Sequence, residues 1–158
     1  MVSRDPIAML MKEHEDALSK LRLLKKSAAE LKKKGYSERI FKQLLHAVAY
    51  VDEEVRHHNK HEEEALFPIV ERYVDGPTAV LRDDHSRMAK IYKKLSYSIK
   101  ALRENTDDKT ARMELCESAE EIVQLMVNHI HKENQILFPM IQRFCTKDEL
   151  KEVAKKLL

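Results

Sequence analysis

Histidine and glutamate occur in this chain at spacings that suit metal coordination. His58 and Glu62 are four residues apart, as are His129 and Glu133. On a helix each pair therefore lies one turn apart on one face. His14 and His85 stand far upstream of these pairs. Shifting the sequence by 71 positions places His14 on His85, His58 on His129 and Glu62 on Glu133. The same shift superposes Leu66-Phe67-Pro68 on Leu137-Phe138-Pro139, Arg72 on Arg143, and Leu10, Leu24, Leu31 and Leu44 on Leu81, Leu95, Leu102 and Leu115. Each half thus reads His–x43–His–x3–Glu–x3–Leu-Phe-Pro. One histidine on an apolar stripe is usually a satisfied core residue, but chance rarely repeats the same trio at the same spacings.

All six residues fall on stripes of Val, Leu, Ile and Met, with no Lys or Arg at the same positions. Burying carboxylates and imidazoles without partners costs several kcal/mol per unpaired charge. A dication, or two, is the natural partner. Imidazole with carboxylate suits iron, manganese or zinc better than calcium or magnesium. Four histidines and two glutamates are generous for one ion and sensible for two, with two histidines per ion and carboxylates able to bridge. Ferritin-type sites use Glu-x-x-His and more carboxylates, so the reversed, His-rich order here disfavours that class.

These residues need long helices to hold them. Gly (2) and Pro (4) are scarce and Trp is absent, which with abundant Ala, Leu, Lys and Glu predicts an all-α protein. Asp5-Pro6 marks the first helix start, as N-cap and first helical residue. Its stripe runs Ile7, Leu10, His14, Ala17, Leu21, Ala28, Leu31, and the lysines before Gly35 suit its end. A second helix from about Ser37 carries Phe41, Leu44, Val48, Val51, Val55, His58, Glu62, Ala65 and Ile69, in steps alternating three and four. Asp75-Gly76-Pro77 ends it and opens a third, with Thr78, Leu81, His85, Met88, Tyr92, Leu95, Ile99 and Leu102. After the polar stretch 105–108 the fourth seam is Leu115, Ala119, Ile122, Met126, His129, Glu133, Ile136, Met140. Thr146-Lys147-Asp148-Glu149 reads as a capping box for a short terminal helix. Pro68 and Pro139 should kink their helices or end the regular part. The expectation is one domain over 1–158: an up-down-up-down antiparallel four-helix bundle from two pseudo-repeated hairpins, about 5–75 and 76–145, plus a short helix in 146–158.

At these residues the sequence resembles the hemerythrin-like, or HHE cation-binding, family over roughly residues 5–145. The most specific pieces are the two HxxxE pairs, each followed by Leu-Phe-Pro; Asp84-His85 and Asn128-His129-Ile130 also look like family segments. The resemblance implies two non-haem iron ions, oxo- or hydroxo-bridged, with manganese or zinc as lesser occupants. By matching position, His14, His58, His85 and His129 would be terminal ligands, and Glu62 and Glu133 bridges. The layout is most similar to bacterial and archaeal proteins proposed to repair iron–sulfur centres or to handle nitric oxide or oxygen. Invertebrate oxygen carriers of the family have a fifth histidine. The residues four after His85 and His14 are Ala89 and Leu18, which argues against reversible oxygen carriage and implies room for a small ligand at Ala89.

The resulting expectation is a di-iron protein that binds or reacts with oxygen, nitric oxide or peroxide, in iron-centre repair or in iron and oxygen sensing. The alternative is a metal-dependent sensor, store or interaction module without turnover; the residues leave catalysis open. His61 is a weaker ligand candidate because its repeat counterpart is Lys132. His57, His46 and His131 read as surface or supporting residues, Glu63 and Glu64 as a solvated face, and Tyr92 as a core tyrosine. The mixed charge, net +2 with 35% charged residues, offers no nucleic-acid motif. Asp5 and Pro6 interrupt any early apolar run, so no secretory leader is expected, and no apolar run is long enough to span a membrane. Cys116 and Cys145 form no zinc or disulfide pattern and suit a reducing cytoplasm. The protein is expected to be a monomer or homodimer.

Overall fold

The computed structural model describes residues 5–157. Residues 1–4 and 158, which the readings of 1–158 and 146–158 include, lie outside them. Helix α1 spans Pro6–Lys34 and α2 Glu38–His61, which continues through a π-helical turn, Glu62–Leu66, into α3, Phe67–Val70. Helix α4 spans Pro77–Glu104 and α5 Lys109–Lys132, which continues through a second π-helical turn, Glu133–Leu137, into α6, Phe138–Phe144. Helix α7, Lys147–Leu157, follows. No strand occurs among the described residues.

The helix ends follow from their residues. The Asp5 side chain accepts from the Ile7 amide (3.0 Å), with Pro6 in the first turn. Asp108 accepts from the Ala111 amide (3.0 Å) and caps α5. The Thr146 hydroxyl accepts from the Glu149 amide (3.1 Å) while Glu149 accepts from the Thr146 amide (3.0 Å), a complete capping box. Gly35 and Gly76 have φ of 80° and 107°, angles that side-chain-bearing residues disfavour, and so stop α1 and launch α4.

Helix α1 packs against α2 and α5, and α5 against α4. The core falls into two apolar clusters. The larger includes Ala17, Val55, Met88 and Met126; the smaller includes Leu10, Ala65, Leu81 and Leu137. The six histidine and glutamate positions lie between them in sequence on all four long helices. The seam residues of α2 and α4 are all buried.

The fourth seam departs from expectation. Ile136 is 53% exposed and Met140 only half-buried, while Leu137, Phe138 and Ile141 are buried instead. The physical reason is the π turn. The Phe138 amide bonds back to the Glu133 carbonyl, five residues away, as Phe67 does to Glu62. The extra residue rotates the stripe, and the wide turn precedes the proline, which lacks an amide hydrogen. Pro68 and Pro139 thus leave their helices continuous, but the regular α-helical part ends before them in a turn that holds one extra residue. At the position matching Ile136, Ala65 is 1% exposed, because α7 packs against the first π turn.

Candidate metal centre

Each seam histidine enters the bundle between the two apolar clusters: His14 from α1, His58 from α2, His85 from α4 and His129 from α5. Glu62 and Glu133 are the first residues of the two π turns and are fully buried. Ligand atoms of His14, His58, Glu62 and Glu133 lie within 4.8 Å of one another, as do those of Glu62, His85 and His129. All six sequence-predicted residues therefore meet, and Glu62 belongs to both groups.

The histidine pairs face each other through Nε2, at 3.0 Å for His14–His58 and 3.2 Å for His85–His129. The carboxylates lie across both pairs. Glu62 Oε1 is 3.3 Å from His58 Nε2 and 3.3 Å from His85 Nε2. Glu133 Oε1 is 2.8 Å from His14 Nε2, 3.6 Å from His58 Nε2 and 3.5 Å from His129 Nε2.

The outer nitrogens decide the chemistry. His58 Nδ1 donates to Glu13 (2.5 Å), His85 Nδ1 to Glu63 (3.0 Å) and His129 Nδ1 to Asp84 (3.0 Å). A carboxylate only accepts, so Nδ1 carries the proton in each. His14 Nδ1 likewise donates to the Asn134 side-chain oxygen (2.8 Å). With Nδ1 protonated, neutral imidazole presents a lone pair at Nε2. Four lone pairs and two carboxylates thus point at one another in a dry interior, an arrangement that only a cation makes favourable. Both oxygens of Glu62 and Oε2 of Glu133 are buried and have no hydrogen-bond partner among the described residues. Metal–nitrogen bonds of about 2.0–2.1 Å place two imidazole nitrogens on one ion roughly 3 Å apart, matching both separations. The donor set fits metal ions.

Protons are the competing cations. Burial works to lower His58, but nearby Glu62, the bond to Glu13 and the Glu133 charge outweigh it and raise it well above the ordinary imidazole value. His129 is likewise lifted to about 10 against its burial, by Glu133 and Glu62. Burial pushes the Glu133 carboxyl up, but the surrounding histidines, His14 closest, hold it well below the usual range. Without metal the cluster neutralises itself with imidazolium; with metal those protons leave.

The Leu-Phe-Pro motifs also gain a role. Phe138 stacks on His14 (centroids 5.3 Å apart, 15°) and Phe67 on His85 (5.7 Å, 19°). Each ring fixes a histidine plane and seals one side.

A search of curated proteins finds no match. The sequence profile of the hemerythrin HHE cation-binding domain matches residues 5–141, most of the chain. The chain belongs to the hemerythrin HHE cation-binding domain family. The chain is thus a cation-binding domain of this family, and it carries a buried His/Glu cluster with a metal-type donor set.

Sequence reasoning missed the Nδ1 acceptors. Glu63 is not merely a solvated face, since it holds His85. Glu13, Asp84 and Asn134 were also overlooked, although the repeat marks them: Glu13 matches Asp84 and Glu63 matches Asn134. His61 does not join the cluster; burial and the neighbouring His57 push its imidazole down. Ala89 is exposed and lines an outer groove that also borders His85 and Tyr92. On the opposite side a cavity of about 40 Å³ is bordered by His14, His58 and His129, by Ala17, Val55, Met88 and Met126, and by polar residues that include Glu13 and Asn59. Tyr92 is buried with its hydroxyl on Met126 sulfur (3.5 Å), as a core tyrosine. Cys116 is buried, its thiol pushed up to about 11 by burial, and is no nucleophile. No described helix is long and apolar enough to cross a membrane.

Proposed function

We propose that this chain is a non-haem di-iron protein that binds or reacts with a small ligand (oxygen, nitric oxide or peroxide), with iron-centre repair or iron and oxygen sensing as its roles. His14 and His58 would hold one ion, His85 and His129 the other, and Glu62 and Glu133 would bridge them. When bound, the iron pair supplies coordination positions and one-electron chemistry for the ligand.

The observation that carries the reading is the cavity beside the histidines. Its volume is about 40 Å³. A water needs roughly 10–15 Å³ on this measure, and organic-ligand pockets run to about 300–1,000 Å³. The space therefore admits a diatomic or a few waters and excludes metabolites. Ala17, Val55, Met88, Met126 and Ile130 form the apolar part of its wall. Glu13, Asp84, Glu63 and Asn134 orient the imidazoles and hold their Nδ1 protons, so each Nε2 stays a ligand.

Iron-loaded protein should show a visible spectrum that changes on adding azide, nitric oxide or oxygen. Ala17→Leu should blunt that change while iron content stays the same. An iron-loaded sample whose spectrum ignores all three ligands refutes small-ligand binding. The reading as a metal-dependent sensor or store without turnover draws support from the Glu62 oxygens, buried with no hydrogen-bond partner among the described residues, which would tie folding to metal. It predicts a large thermal shift on loading with no response to exogenous ligands.

A further inference from the structure

The outer face formed by α4 and α5 carries opposite charges at its two ends. A groove runs along this face, and the charged residues that α4 gives to it are all cations. Those from α5 are glutamates, except Lys132. The two helices are antiparallel, since His85 meets His129 and Lys94 lies 3.9 Å from Glu121. Lys90 and Arg87 stand four and seven residues before Lys94, and Glu117 and Glu114 stand four and seven residues before Glu121. Because the helices run oppositely, these steps of about 6 and 10 Å lead to opposite ends of the groove. Lys132 adds to the basic end.

Charges that served only to seat α4 on α5 would stand level with their opposites. Level with Lys90 across the seam is Leu125, and level with Glu117 is Ser98. Lys90, Glu114 and Glu117 have no ion pair among the described residues. Between the two ends the floor includes buried Ile91 and Leu125, and Tyr97 stands 79% exposed beside them. Tyrosine is among the residue types that most often anchor protein interfaces.

We propose that this face binds a second copy of this chain about a two-fold axis that crosses the groove at the Lys94–Glu121 level. That axis lays the basic end of each copy on the acidic end of the other. Lys90 and Arg87 then meet the end that carries the second copy's Glu117 and Glu114, and the pairing occurs twice. Tyr97, three residues after Lys94, falls on the second copy's Ile91, three residues before it. Exposed ion pairs contribute little each but fix the register, and Tyr97 supplies the anchor. A two-fold contact closes at two copies.

Sedimentation equilibrium of the full chain is the test. Wild type should form a dimer with a dissociation constant on the order of 10 μM. Lys90→Glu and Glu117→Lys should each weaken it at least tenfold, because each variant then sets like charges against each other. Mixed in equal amounts, the two variants should associate as tightly as wild type, since every mixed pairing is again opposite in charge. That recovery also shows both variants to be folded. Tyr97→Ala should weaken the dimer at least tenfold. Lys25→Glu, the same charge change on α1 away from the groove, should leave it unchanged. A monomeric wild type, a Lys90→Glu dimer as tight as wild type, or a mixture no tighter than either variant alone overturns the proposal.

Discussion

The halves of this molecule agree where atoms face the centre and diverge one layer out. His14, His58 and Glu62 match His85, His129 and Glu133, both glutamates open π turns, and Phe67 and Phe138 stack on equivalent histidines. Outside that layer Glu63 becomes Asn134, His61 becomes Lys132, and Ala65 under α7 becomes bare Ile136. Coordination tolerates no change in donor type or register. The next layer supplies an acceptor to each Nδ1, a carboxylate at His58, His85 and His129 and an amide oxygen at His14.

The largest effects should come from the equivalent aromatics. Phe67→Ala and Phe138→Ala, each from a site no more than 1% exposed, should cost about 3–5 kcal/mol apiece by denaturant unfolding. A cost confined to one half would break the equivalence. Next come the Nδ1 acceptors. Glu13→Gln and Asp84→Asn should each weaken metal binding by about 10–100-fold in chelator competition. A loss seen only with Asp84→Asn would show that the first half does not depend on its carboxylate.

The α7 cover is a smaller asymmetry. Thr146→Ala should destabilise by about 1 kcal/mol through loss of the cap. Glu149 is held below the usual carboxylate range by the Thr146 amide and the Tyr73 hydroxyl, with Arg72 adding to it. A carboxyl lowered in the folded state stabilises above its unfolded value, about 4.3. That contribution disappears as pH falls through the folded value. Hydrogen exchange in 147–157 should therefore quicken below pH 4 before the bundle loosens; simultaneous loosening would contradict it. Smallest of all, Ile136→Lys should stay within about 0.5 kcal/mol of wild type by thermal melting, since no helix covers that position.

Much of this was legible in the residues. The repeat located all six inward groups, and capping chemistry at Asp5 and Thr146 set helix ends. The misplacement of Ile136 came from extending an α-helical period through Glu133–Leu137, where the backbone takes one residue more per turn. Periodicity alone does not reveal a π turn, although a proline six residues after Glu62 and after Glu133 is a signal. Glu63 looked solvated and Glu13 drew no notice because both sit one residue off the seam, yet a carboxylate there reaches the far nitrogen of a histidine on a neighbouring helix. The docking of α7 depends on tertiary contacts of Tyr73 and Arg72 that no local pattern encodes.

The central claim is that six residues hold two ions between the hairpins. Metal content per chain, measured by elemental analysis after anaerobic ferrous loading and removal of free iron, tests it most directly. Two tightly held irons in wild type, lost together in Glu62→Leu, whose carboxylate reaches both histidine pairs, is the predicted result. One iron or none in wild type, or two retained in a folded Glu62→Leu variant, would contradict it.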